Sequence, residues 1–239
     1  MSNWCENKLT VSGSKEEIEQ IKSKLFRQDS KSGKLILDFN LVAPIPRELK
    51  EDFVWGKEKS AILLLKAEPS CLFKDYLQTE YANDLSESAL QTLLNSDLNC
   101  TVKEFIEWLN ANPSIQEALN IDLKAGYEAI ENISKYGFSN WYDWSLNHWG
   151  TKWNATTSSI SIEDEKITCF FNTANCYPAK WFISLGELFP DSKMALDYYE
   201  PKACFGGSIA SSDGDSYQVQ HFTSTDDIEE FARNVFSAR

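Results

Sequence analysis

Few side chains in this chain are equipped for chemistry. There are two histidines, His148 and His221, and six cysteines, Cys5, Cys71, Cys100, Cys169, Cys176 and Cys204, in 239 residues. A serine hydrolase needs a nucleophile whose proton is taken by an oriented base. Only the two imidazoles could be that base, and no Gly-x-Ser-x-Gly elbow accompanies them. His221 falls in an alternating stretch, Tyr217 to His221, that reads as a strand, where a structural or surface role outweighs a catalytic one. The cysteines include no Cys-x-x-Cys pair, and two histidines do not complete a zinc-finger pattern. A site built from Cys169, Cys176 and a histidine has nothing in its spacing to single it out. The cysteines are therefore expected to be small, mostly buried apolar residues. No phosphate loop of the Gly-x4-Gly-Lys-Ser/Thr kind is present, and Gly206-Gly207 marks a bulge or tight turn beside a strand. Asp213-Gly214-Asp215 lacks the ligand series of a calcium loop and reads as a plain turn. The acids are too numerous to select a glycosidase pair. No catalytic residue, metal ligand or cofactor is assigned.

One window stands apart. Asn140 to Asn154 holds four of the eight tryptophans and one of the two histidines. Its rings belong to Trp141, Tyr142, Trp144, Trp149 and Trp153, and its polar groups to Asn147, His148, Lys152 and Asn154. Each large ring buries about 150–250 Å² and asks for a partner at its N–H or O–H. Lys152 is placed to lie over a tryptophan face. As a binding site, these residues would form a pocket for a flat ligand, a nucleobase or a partner's side chain. As packing, they would plug the joint between a helical segment and a sheet, with the polar groups satisfying the bend at Gly150. At about 100° per residue the four tryptophans spread over half a turn of helix, not a narrow stripe, and that spread favours packing.

The elements around the window read as two α+β halves. Leu9 and Val11 alternate with Lys8 and Thr10 as a half-buried strand. Ser14 and Glu17 then form a capping box for a helix carrying Ile18, Ile21 and Leu25. Leu35 to Phe39 reads as a second strand, completing a β-α-β opening unit within residues 1–54. Residues 55–140 turn helical and acidic, with a second capping box at Thr101 and Glu104, a break at Asn112-Pro113, and Leu123, Tyr127, Ile130 and Ile133 marking a helix that stops near Gly137. Residues 141–239 return to strands at Ser158–Ile162 and Ile167–Phe171. A helix opened by Pro178 follows, with Trp181, Phe182, Leu185, Leu188 and Phe189 on its apolar side. Then come a strand through Met194, Leu196 and Tyr198, a hairpin turning at Asp213-Gly214, and a last helix from Thr225. Two β-α-β halves with a helical insertion predict an α+β, ferredoxin-like antiparallel sheet, finished by a C-terminal hairpin and helix.

The net charge of −13 is uneven: residues 1–60 carry +1, and residues 61–140 and 141–239 carry −7 each. Such a field repels phosphate backbones, which disfavours nucleic acid as a partner, and it steers the chain toward basic surfaces. The densest apolar run, Ala61 to Leu65, is far short of the ~20 residues of a membrane span. The start of the chain lacks a basic region followed by an apolar stretch, so the expected setting is the cytoplasm.

Three segments carry a family resemblance: Asn3-Trp-Cys-Glu-Asn-Lys-Leu-Thr-Val-Ser-Gly13, Pro44-Ile-Pro46, and Trp144-Ser-Leu-Asn-His-Trp-Gly-Thr-Lys-Trp-Asn154. They resemble the YubB ferredoxin-like (Api-type) proteins of bacteria, plasmids and phages. The resemblance implies a ferredoxin-like fold and a phage or mobile-element setting, with no activity and no catalytic residues to carry over. The resulting expectation is a non-enzymatic, acidic accessory protein that docks on a basic host protein. Two alternatives stand beside it. One is a single-stranded nucleic-acid-binding module that stacks bases on Tyr198, Tyr199, Tyr217 and Phe222. The other is a small-molecule enzyme with His148 as acid or base beside Asp143 or Lys152.

Overall fold

The structure is a computed structural model describing residues 3–50, 57–78, 83, 85–94, 98–211 and 216–236. In chain order, β1 (Trp4–Ser12) leads into α1 (Lys15–Leu25), followed by β2 (Phe26–Gln28) and β3 (Leu35–Leu37). Next come α2 (Lys57–Lys66), α3 (Phe73–Leu77), α4 (Glu87–Leu94), α5 (Val102–Ala111), α6 (Pro113–Ala118) and α7 (Leu123–Tyr136). After α8 (Trp141–His148) come β4 (Thr156–Glu163), β5 (Lys166–Ala174), α9 (Ala179–Leu188), β6 (Lys193–Glu200), β7 (Phe205–Ser211), β8 (Tyr217–Phe222) and α10 (Thr225–Phe236). The chain divides into two compact units, Met1–Ile45 with Tyr142–Arg239, and Pro46–Trp141.

The first unit is α+β. Its sheet has six strands in the order β4-β5-β1-β6-β7-β8, every neighbouring pair antiparallel. Period-2 alternation sorts the two faces. Along β1, Cys5, Asn7, Leu9 and Val11 are buried while Trp4, Glu6, Lys8 and Thr10 are not. The register carries the buried row across the sheet through Cys169, Leu9, Leu196 and Ile209. On this face Phe171 meets Trp181 of α9, with ring centroids 6.5 Å apart. The opposite face is capped at one end by α10: Phe236 packs on Phe170 and Tyr199, Phe231 packs on Phe222, and Gly206 lies beneath Ile228 and Phe231.

Helix α1 starts where its capping box places it. The Ser14 amide donates to Glu17 Oε2 at 2.7 Å, the Glu17 amide donates back to Ser14 Oγ, and Ile18, Ile21 and Leu25 are buried. The expected second strand, Leu35 to Phe39, does not join the main sheet. Only Leu35–Leu37 is extended, and it pairs with Phe26–Gln28 in a separate two-stranded ladder. Asp38 ends it: its carboxylate accepts from the Asn40 amide and caps a 3-10 turn over Phe39–Leu41, since aspartate competes well for nearby backbone amides. In the main sheet, the hairpin β4–β5 supplies the strands beyond β1 instead. Leu188, expected on the inner side of α9, is 51% exposed, while Trp181, Phe182, Leu185 and Gly186 face inward. The hairpin turn expected at Asp213-Gly214 lies outside the described residues.

The second unit is helical. Ala61, Leu64, Phe73, Leu93, Val102, Phe105, Leu109 and Leu123 are among its buried core. Thr101 and Glu104 form the expected capping box of α5, and the rings of Phe73 and Phe105 stack at 3.7 Å. The inward stripe of α7 is rotated from the one expected: Leu123, Gly126 and Ala129 are buried, and Tyr127 is 53% exposed. The small residues let α2 approach closely, since a Cβ on Gly126 would lie 2.6 Å from that of Ala61. Helix α7 ends at Gly137, whose φ of +79° is the left-handed conformation glycine adopts without strain. Among the described residues, no helix is long and apolar enough to cross a membrane.

Candidate functional site

The tertiary structure splits the aromatic window into a buried half and an exposed half. Trp144 and Trp149 are buried. Trp149 sits edge-on to Phe39 at 5.6 Å and to Trp144 at 5.9 Å, and Phe39 in turn lies 4.5 Å from Trp181. The Trp149 indole N–H donates to the Ala43 carbonyl at 2.9 Å, so the partner that a buried indole needs is supplied by the backbone. Trp181 has none: its N–H is buried without a hydrogen-bond partner. These rings form core, but not by the helical spread expected of the four tryptophans: α8 ends at His148, and Trp149 and Trp153 lie beyond it.

His148 belongs to the same half. Its ring lies flat on Trp144, centroids 4.0 Å apart and planes within 9°, and its Nδ1 is 2.9 Å from the Trp144 carbonyl oxygen. A carbonyl only accepts, so Nδ1 carries the proton and donates it. The imidazole thereby adds a side-chain donor to a carbonyl within α8, and Nδ1 cannot act as a base. Asn154 is also a brace. Its Oδ1 accepts from the amides of Phe39 and Ala155, both at 2.9 Å, and its Nδ2 donates to Asp38 Oδ1 at 2.6 Å. Asp38 further accepts from Asn40 and from the Arg27 guanidinium. Burial pushes the Asp38 carboxyl up, but the hydrogen bonds from Asn40, Arg27 and Asn154 outweigh it and leave the pKa below the ordinary value. Trp141 and Tyr142 are half-buried at the start of α8, and Asn147 is exposed on it.

The exposed half is built around Trp153, which is 43% exposed. Beside it lies Trp4, from the first residue of β1, at 44%. The two ring centroids are 6.2 Å apart, with planes at 42°. The Lys152 ammonium stands over the Trp153 ring, 4.2 Å from its centroid. The backbone around the pair is held firmly. The Asn3 amide donates to Asn175 Oδ1, the Asn175 amide donates to the Asn3 carbonyl, and Thr151 Oγ1 donates to the Ala174 carbonyl. Asn175 has a φ of +68°, a conformation asparagine tolerates better than most residues. Two large rings and a cation on an ordered backbone offer stacking and cation–π contact. Trp4 carried a sequence signal only as part of the opening Asn-Trp-Cys-Glu-Asn segment; nothing in the spacing linked it to Trp153.

A second aromatic group lies under the sheet's other end. Tyr198 is buried, stacks on Tyr177 at 3.7 Å, and places its hydroxyl 2.5 Å from His221 Nδ1. Burial, and secondarily the Tyr177 phenol, push the Tyr198 pKa up, so the phenol of this pair is neutral. Gly207 makes room for the phenol, since a Cβ there would stand 2.4 Å from the Tyr198 oxygen and 2.2 Å from the Gln220 carbonyl. The four aromatics considered for base stacking do not form an open platform. Tyr198 is core, Tyr217 donates to the Ile183 carbonyl and packs on Phe182, and Tyr199 and Phe222 lie against α10.

None of the six cysteines is in a disulfide. Cys5 and Cys169 are buried, and burial pushes both thiols up, Cys169 to about 12. Cys176 and Cys204 are exposed, contrary to the expectation for most of the set, because both lie in turns beyond strand ends. Among the described residues, no group of three His, Cys, Asp or Glu side chains is placed to hold a metal ion.

No family model and no curated protein matches the chain. Among solved structures, it is similar to the crystal structure of the protein api92 from Yersinia pseudotuberculosis, which carries the family model DUF1281. The two are 12% identical, the match covers 94% of this chain and 99% of that chain, and the TM-score is 0.43.

Proposed function

We propose that this chain is a non-enzymatic binding protein that presents Trp4, Lys152 and Trp153 to a protein partner. One observation carries the reading: two tryptophans more than two-fifths exposed stand side by side on an ordered backbone, one of them beneath a lysine. Large exposed rings that pack against each other and leave a face to solvent are the usual anchors of protein interfaces. Two other polar groups of the window serve internal ends: Asn154 braces Asp38 and His148 bonds the Trp144 carbonyl of α8. The net charge of −13 steers the encounter toward a basic partner.

The wider reading is a cytoplasmic accessory protein of a phage or mobile element, of the YubB ferredoxin-like kind, with residues 55–140 inserted between its halves. Supporting it, β6, β1, β5 and β4 lie side by side in that order. With α1 and α9 as the crossovers, this is the strand order of a split β-α-β pair.

The test is capture from bacterial lysate by the wild-type chain, by Trp4→Ala/Trp153→Ala, and by a chain with Glu104, Glu107, Glu128 and Glu131 changed to glutamine. The expected result is a protein retained by the wild type at low salt, lost about tenfold or more with the double tryptophan variant, and weakened by neutralising the acids. Equal recovery with all three chains, or no partner at low salt, refutes the proposal.

A further inference from the structure

The two edges of the main sheet differ. The β4 edge is guarded. Its register with β5 slips between Thr157 and Ser159, its final residue, Glu163, is charged, and the Leu37 amide of β3 donates to Thr157 Oγ1 at 2.9 Å. Bulges, charges and covering segments are the usual means of keeping a sheet edge from pairing with another chain. Among the described residues, the β8 edge has none of these. Its sequence, Tyr-Gln-Val-Gln-His-Phe, holds no lysine, acid or proline, and its register with β7 runs unbroken from Tyr217 to Phe222. Residues 218 to 221 are exposed, Val219 at 52%. Among the described residues, no strand pairs with its outer side.

We propose that the β8 edge pairs antiparallel with the β8 edge of a second copy of this chain, joining two six-stranded sheets about a two-fold axis. Closure favours this occupant. With one edge guarded, head-to-tail addition cannot propagate, whereas an isologous β8–β8 contact uses up the open edge and leaves only guarded ones. The pleat then sets the register. With the axis perpendicular to the sheet, opposing residues must point to the same face, so a residue faces itself or one an even number of positions away. Centring on Val219 sets valine on valine, Gln218 opposite Gln220, and Tyr217 opposite His221. Cross-strand pairs of this kind, amide on amide and aromatic on aromatic, are the units that stabilise sheets. A ladder of about six residues falls below the ~1,200 Å² of a standard interface, so the association is weak. Each copy carries −13, so the copies repel and the dimer strengthens with added salt. Docking to a basic partner has the opposite salt dependence, which separates the two proposals.

The experiment is sedimentation equilibrium from about 5 to about 500 µM chain, at low and high salt. The wild-type mass is expected to rise from the 27.3 kDa of one chain toward twice that value, at lower concentration in high salt. Val219→Lys and Val219→Asp should each remain single chains throughout, and mixing them in equal amounts should restore the dimer, because position 219 faces itself across the axis. In the wild type, hydrogen exchange of the β8 amides should slow as concentration rises, a readout that needs no variant. A wild-type mass that never rises overturns the proposal. So does a dimer unaffected by Val219→Lys, a mixture of the two folded variants that stays dissociated, or β8 exchange that does not change with concentration.

Discussion

Replacing Asn154 with alanine separates a brace from a binding residue. In the structure Asn154 accepts from the amides of Phe39 and Ala155 and donates to the Asp38 carboxylate. Removing it orphans two backbone donors beside a fully buried phenylalanine and takes one donor from a carboxylate. A neutral hydrogen bond contributes about 1 kcal/mol and one to a charged group about 1.5–3 kcal/mol, with water recovering part of the loss. The expected cost is about 3 kcal/mol, and in a chain of this size that corresponds to a melting temperature lower by roughly 6–12 °C. The cost depends on pH with a definite sign. The folded pKa of Asp38 lies below its ordinary value, so its charged form adds stability that is present above the unfolded pKa of about 3.9 and is lost as pH falls through the folded value. Asn154→Ala brings the folded pKa back toward the unfolded one. The gap between wild type and variant is therefore widest near neutrality and narrows below about pH 4. Thermal and urea unfolding at pH 7 and near pH 3, followed by tryptophan fluorescence, measures it, with Asn147→Ala on the exposed face of α8 as a neutral control. A variant as stable as wild type at pH 7, or a deficit that is the same at both pH values, refutes the assignment of Asn154 and Asp38 as a structural pair.

Three further outcomes follow from the same geometry. Trp149→Ala should destabilise by about 3–5 kcal/mol, because it empties a buried site and orphans the Ala43 carbonyl, whereas Trp153→Ala should lose roughly half as much or less, because its site is open to solvent; comparable losses in urea unfolding would contradict the division of the window into buried and exposed halves. Gly126→Ala should destabilise by about 1–3 kcal/mol despite the better helix former, since its Cβ meets that of Ala61, and Ala61→Gly in the same chain should recover part of the loss; calorimetry of the single and double variants decides it. Gly207→Ala should destabilise by about 2 kcal/mol or more, because its Cβ collides with the Gln220 carbonyl and the Tyr198 phenol; a melting temperature equal to wild type would contradict the packing beneath β7.

Local chemistry was legible where the deciding partners lie within a few residues. The capping boxes at Ser14 and Thr101 and the start of α10 depend on side chains reaching backbone three positions away, the stop at Gly137 depends on a left-handed backbone that glycine adopts without strain, and all stand where the residues place them. The alternation of β1, β5 and β6 separated a buried from an open face for the same reason. Two misreadings have a shared cause. Leu35 to Phe39 looks like a sheet strand, and Leu123, Tyr127, Ile130 and Ile133 look like an inward stripe, because apolar spacing records only that a face is to be buried. Asp38 cut the first short by capping a turn, and the close approach of α2 turned the small side of α7 inward instead.

The candidate site shows the same boundary. Composition alone concentrated aromatic surface in residues 140–154 and withheld the pieces of any familiar catalytic device, because residue identities carry those facts directly. It could not say that Trp149 would meet a carbonyl 106 positions away or that Trp153 would lie beside Trp4 at the far end of the chain. Neither could it reveal that, among the described residues, β8 would be the last strand at its end of the sheet. Burial and pairing are properties of distances between remote segments, and those distances exist only once the strands have chosen their neighbours.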